Sequence, residues 1–134
     1  MNLGLYIHIP FCRRKCLYCD FTSFAGAEEL YEAYTAALCR EISGKGGLFA
    51  GHRVDSVYLG GGTPTVLPPE ALARLGAAVK GYWNIAPDAE FTVEANPGTL
   101  DREKLAVLRS MGANRLSIGV QAFDDAVLQA AGRI

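Results

Sequence analysis

The sequence predicts an α/β fold built on a parallel sheet. Apolar stretches of strand length alternate with amphipathic stretches of helix length, four times over. The connections between them are only a few residues long. Each strand-like stretch also ends in a glycine-rich or polar segment, as chains do where a parallel sheet presents its ligand-binding rim. A doubly wound sheet and a (β/α) barrel both satisfy this pattern.

The elements follow in order. Residues 4–9, "GLYIHI", read as a strand closed by Pro10. Residues 28–43 read as a helix, with Leu30, Tyr34, Leu38 and Ile42 recurring every four residues as an apolar stripe. "GKGG" at 44–47 is expected to stop it. Residues 54–62, "VDSVYLGGG", form a strand running into glycines. Residues 68–83 form a helix with prolines at its start, where they are tolerated. Residues 89–98 give a third strand, and 99–112 a helix with Thr99 as cap and Gly112 as stop. Residues 115–123 give a fourth strand, and "DDAVLQAAG" opens a fourth helix. Alternation assigns Val57, Leu59, Phe91, Val93, Leu116 and Ile118 to the inward face of the strands. A full barrel takes roughly 200 residues or more. The 134 residues therefore predict the first half to two-thirds of a barrel, an incomplete domain over 1–134.

Composition narrows the classes. Hydrophobic residues make up 50% and charged residues 20%, with a net charge of −1, so neither a disordered nor a disulfide-stapled chain is expected. The balance leaves no basic footprint for nucleic acid, and "RRK" at 13–15 is too short to make one. No apolar run approaches the ~20 residues that cross a bilayer, and the start lacks the build of a signal peptide. A cytoplasmic protein is expected, and in that reducing setting clustered thiols hold metal or do redox chemistry.

Those thiols stand in "YIHIPFCRRKCLYCDF", where Cys12, Cys16 and Cys19 follow the first strand. Structural zinc takes four ligands, commonly in two pairs. Here there is one triple, and neither His8 nor His52 has the usual spacing for a fourth ligand. Ferredoxin-type clusters use four thiolates at other spacings. Cys39 serves as a fourth only if its helix folds back onto the loop. The preferred reading is a four-iron cluster on three thiolates, with one iron left open to a small chelating molecule. Phe11, Tyr18, Phe21 and Phe24 would make a dry surround for it.

Cys-x-x-x-Cys-x-x-Cys on the loop after the first strand resembles the radical S-adenosylmethionine superfamily. "YIHIPFC", "GGGTPT", "E-x-N-P" and "GVQ-x-F", in that order, resemble its oxygen-independent coproporphyrinogen III oxidase-like family and the heme-chaperone relatives of that family. The resemblance covers essentially the whole chain. It implies a partial, TIM-type barrel. It also implies a [4Fe-4S] cluster on Cys12, Cys16 and Cys19, with S-adenosylmethionine chelating the open iron and yielding a 5′-deoxyadenosyl radical on reduction. Gly61, Gly62, Thr63 and Glu94 would line that cofactor, with Tyr6 near it. Gln121 and Arg133, with Tyr18 beside them, would meet a second S-adenosylmethionine. His8 receives no role.

The oxidases of this family usually carry another cysteine two residues after the third; here Phe21 stands there. "CDF" is similar to the heme-chaperone branch, which binds heme and passes it to acceptor proteins. The resemblance therefore implies heme or a porphyrinogen, a heme acceptor and an electron donor as partners. A porphyrinogen-oxidising enzyme and a plain iron–sulfur electron carrier are the alternatives.

Overall fold

The computed structural model describes residues 2–12, 24–25 and 28–119. Its main sheet has four parallel strands: β1 (Asn2–Ile9), β4 (Arg53–Gly61), β5 (Ile85–Ala95) and β6 (Arg115–Ile118). Between β1 and the first long helix lie two short strands, β2 (Phe11–Cys12) and β3 (Phe24–Ala25), paired parallel with each other. The helices are α1 (Tyr31–Leu48), α2 (Pro69–Tyr82) and α3 (Arg102–Ser110). Among the described residues no helix is long and apolar enough to cross a membrane.

The sheet order decides between the two candidate architectures. Strands lie side by side in chain order, β1-β4-β5-β6, with no reversal. A doubly wound sheet reverses its order at a switch point, whereas a barrel advances strand by strand. One core joins Ile7, Ile9, Val57, Leu59, Phe91 and Val93 of the sheet to Ile42 of α1, Leu72, Leu75 and Val79 of α2, and Leu108 of α3. The helices thus cover a single face, as around part of a barrel.

That arrangement corrects the assignment of faces. Val57, Leu59, Phe91 and Val93 are buried under the helices rather than turned to the barrel interior. Leu116 and Ile118 share their face by register, opposite Val93 and Ala95, but stay 36% and 45% exposed. The interior face carries the other phase. Tyr6, Tyr58, Thr92 and Arg115 form one row across the four strands, because each pairs with the next in register. Alternation separates two faces but does not say which one the helices take.

The boundaries differ from expectation at four places. Leu30 lies outside α1, in a short 3-10 turn, and is half exposed. At its other end α1 runs through "GKGG" to Leu48. A Cβ on Gly46 would fall 2.3 Å from the Tyr82 carbonyl oxygen, so this glycine lets α1 and the end of α2 approach backbone to backbone. Next, β5 begins at Ile85 and ends at Ala95. Its register with β4 shifts between Val54↔Ile85 and Ser56↔Glu90, an irregularity that accommodates Pro87. Finally, Asp101 rather than Thr99 caps α3, its carboxylate accepting from the Lys104 amide at 2.8 Å. Gly112, at φ +104°, ends α3 as expected. The fourth strand is described only to Ile118, and the fourth helix lies outside the described residues.

The glycines of α1 give a paired expectation. Gly44 and Gly47 meet nothing within 4 Å of an added Cβ. Alanine at either should stabilise the intact protein by roughly 0.5–1 kcal/mol, through helix propensity alone. Gly46→Ala should instead destabilise it by about 1–3 kcal/mol, because the methyl meets backbone that cannot step aside. Denaturant midpoints of the three variants check this. Stabilisation by Gly46→Ala would contradict the close packing of α1 on α2.

Candidate functional site

The site forms where β1, β4 and β5 end. Pro10 interrupts β1, and the chain resumes as β2 alongside the segment that leaves β4. There Gly62 N–H donates to the Ile9 carbonyl at 2.8 Å, and Thr63 N–H to the Phe11 carbonyl at 2.6 Å. Gly62 is required for this approach. A Cβ on it would lie 2.5 Å from the Phe11 oxygen and 3.0 Å from Cys12 Sγ. The pairing of β2 with β3 ties together the two ends of the segment that carries Cys16 and Cys19.

Cys12 is buried at the end of β2. The Thr63 hydroxyl donates to its sulfur at 3.7 Å and accepts from Asn96 Nδ2 at 3.0 Å. Asn96 is itself fixed by the turn after β5, where it and Thr99 form a reciprocal capping box. With its oxygen already receiving the amide, the Thr63 hydroxyl has its proton free for the sulfur. Thr99, expected as a helix cap, lies buried in this turn with its hydroxyl 2.5 Å from that of Thr65.

Glu94 closes the other side. Its Oε1 accepts from Gly61 N–H at 2.9 Å. Gly61 adopts φ +111°, and the His8 ring lies 2.6 Å from where its Cβ would be. Tyr6 reaches back from β1, its hydroxyl 3.1 Å from His8 Nδ1, and its ring stacks on Tyr58 at 6.0 Å. Burial, then the Glu94 charge, pushes the Tyr6 and Tyr58 hydroxyls above their ordinary pKa, so both keep their protons. The ion pairs Lys45–Glu41, Arg53–Asp88, Arg74–Glu32 and Arg115–Glu90 do not involve Glu94, whose Oε1 is held by the Gly61 amide.

The structure thus brings Cys12, Gly61, Gly62, Thr63, Glu94 and Tyr6 together at one rim. Cys16, Tyr18, Cys19, Gln121 and Arg133 lie outside the described residues, as does Phe21. His8, left without a role, packs over Gly61. Asn96 and Tyr58 also belong to the rim. Asn96 stands within the "E-x-N-P" motif, whereas Tyr58 enters the rim only through the register of β4 with its neighbours.

Other expectations do not join the rim. Phe11 packs against Tyr31 and Tyr34 of α1 at 4.8 and 5.2 Å, so it is a core aromatic rather than part of a dry surround. Cys39 packs against the helix-side core, and burial pushes its thiol pKa up. The Arg74 charge acts to lower it and the Glu32 charge to raise it, and these two form an ion pair between α2 and α1. His52 precedes β4, at the opposite end of that strand, with its ring edge-on to Phe49 at 5.7 Å. Among the described residues no three His, Cys, Asp or Glu side chains gather as a metal site.

A thiolate-held cluster fits what is described. Cys12 offers a buried sulfur, a hydroxyl donor aimed at it and a side-chain-free approach at Gly62, and hydrogen bonds to cluster sulfurs are a known lever on such centres.

Comparison with known proteins agrees with this geometry. The chain is 44% identical over 139 residues to the heme chaperone HemW of Synechocystis sp., covering 99% of this chain and 33% of that protein. It is 41% identical to the oxygen-independent coproporphyrinogen III oxidase of Bradyrhizobium diazoefficiens, covering 99% of this chain and 30% of that protein. The solved structure of coproporphyrinogen III oxidase (HemN) from Escherichia coli, described as a radical SAM enzyme, superposes with a TM-score of 0.90 at 36% identity. It covers 97% of this chain and 30% of that one. The chain thus spans about a third of the length of the relatives it matches. Residues 6–134 match the Radical SAM superfamily, and with consecutive parallel strands, a cysteine at the first strand's rim and glycines facing Glu94, the chain belongs to that superfamily.

Proposed function

We propose that this chain is the cluster- and cofactor-binding part of a heme chaperone, an incomplete radical SAM core whose full-length protein binds heme and delivers it to an acceptor. Phe21 carries the reading: it stands where the porphyrinogen oxidases of the resemblance usually keep a further cysteine. Similarity to named heme chaperones at 44% and 41% identity supports it.

In this reading Cys12, Cys16 and Cys19 hold a [4Fe-4S] cluster, which when bound supplies one electron and an open iron for S-adenosylmethionine. Thr63 donates to the Cys12 sulfur and Asn96 fixes Thr63. Gly61 and Gly62 let backbone close on a ligand, Glu94 accepts hydrogen bonds from it, and Tyr6 walls its interior side. Tyr18, Gln121 and Arg133 are assigned to a second S-adenosylmethionine. An electron donor and a heme acceptor complete the partners, and the cytoplasm is the reducing setting that keeps the thiols available.

A second reading, oxidative decarboxylation of coproporphyrinogen, is favoured by the 41% identity to a named oxidase and the close superposition on HemN. Two assays on the intact protein separate them. Heme titration should give a saturable change in the Soret band. Incubation with coproporphyrinogen III, S-adenosylmethionine and a reductant should release no carbon dioxide. Release of carbon dioxide without saturable heme binding would make the protein an oxidase.

A further inference from the structure

Glu94 and Tyr58 meet over Gly60. A Cβ on Gly60 would lie 2.3 Å from Glu94 Oε1 and 2.6 Å from Cε1 of the Tyr58 ring. Both side chains therefore rest over a residue that has none. Gly61 N–H fixes the same carboxylate oxygen at 2.9 Å. Tyr58 is held in turn by its stack on Tyr6, with the rings inclined by only 18°. Strand register adds to this, setting Tyr58 beside Thr92, two residues before Glu94 on the same face of β5.

We propose that Tyr58 is a positioning residue, whose ring edge and hydroxyl confine the Glu94 carboxylate over Gly60 so that it presents a fixed acceptor to the amine or hydroxyl donors of a bound nucleotide. The proposal rests on the reading that Glu94 contacts S-adenosylmethionine. Free of Tyr58, the carboxylate would lose one of the groups that confine it beside the Gly61 amide, and a two-carbon side chain less firmly held has more rotamers to lose on binding. Burial and the neighbouring Glu94 both favour the protonated Tyr58 hydroxyl, with Tyr6 acting in the same sense and Arg115 opposing, so the hydroxyl stays a donor.

Equilibrium dialysis of S-adenosylmethionine against the reconstituted intact protein tests this. Tyr58→Phe keeps the ring stack and removes the hydroxyl, and should weaken binding about three- to tenfold, the scale of one hydrogen bond. Gly60→Ala, which places a methyl where Oε1 lies, should weaken it similarly. Neither change should weaken binding further in a Glu94→Ala background, because both act through that carboxylate, which alanine removes. A structural role alone would leave equal losses in both backgrounds. With ζ-carbon-labelled tyrosine, the Tyr58 resonance should titrate above the ordinary tyrosine range in native protein and move back towards it in Glu94→Gln. Native affinity in Tyr58→Phe and Gly60→Ala, or losses that persist without Glu94, would overturn the proposal while leaving the role of Glu94 intact. Native affinity in Glu94→Ala would remove the role of Glu94 and the proposal together.

Discussion

Alanine at Cys12, Cys16 or Cys19 is expected to abolish the cluster of the intact protein, taking iron from about four per chain to near zero after anaerobic reconstitution. In the proposed reading three thiolates hold the cluster, and a three-ligand cluster has no spare protein ligand to lose. Cys12 has a further role as the sulfur that receives the Thr63 hydroxyl, so its loss also strands that donor. Cys39→Ala should leave iron content unchanged. Its thiol packs against the helix-side core rather than at the rim where Cys12 lies, and burial pushes its pKa up. Iron lost in Cys39→Ala but retained in one of the loop variants would contradict the three-thiolate site.

The order of the fold was legible in the chain because period-two and helical apolar patterns alternate cleanly. Where the reading failed, a tertiary contact outweighed a local signal. "GKGG" looks like a helix stop, yet the close approach of Gly46 to Tyr82 keeps α1 helical to Leu48. Thr99 and Asp101 are both good caps by type, and the turn at Asn96 claimed the threonine. The choice of faces was beyond local reading altogether. Val57 and Tyr58 alternate equally well whichever lies inside, and only the position of the helices decides.

The candidate site was legible to the extent that it is written in strand-end motifs. Cys12, Gly61, Gly62, Thr63 and Glu94 each sit at or just beyond a strand end, and parallel strands bring such ends together. Residues whose place depends on cross-strand register were not. Asn96 meets Thr63 and Tyr58 meets Glu94 because β4 and β5 pair with Val57 beside Phe91, a fact absent from either segment alone. Phe11 misled for the opposite reason. Its position next to Cys12 suggested a cluster neighbour, but its side chain turns to α1.

The open iron predicts a second large effect. A ligand that chelates one iron changes the electronic symmetry of the reduced cluster, and electron paramagnetic resonance reads that change directly. Glu94→Ala should weaken it by removing an acceptor that now binds the Gly61 amide. A bulky residue at Gly61 should weaken it more, because φ +111° and the His8 ring leave no room for a side chain. The most direct measurement is the spectrum of the reduced, reconstituted intact protein with and without saturating S-adenosylmethionine. The account predicts a shifted signal that titrates with S-adenosylmethionine and needs higher concentrations in Glu94→Ala. A four-iron signal that stays unchanged at saturation would contradict it, for then the rim of Cys12, Gly61, Thr63 and Glu94 would not bring this cofactor to the cluster.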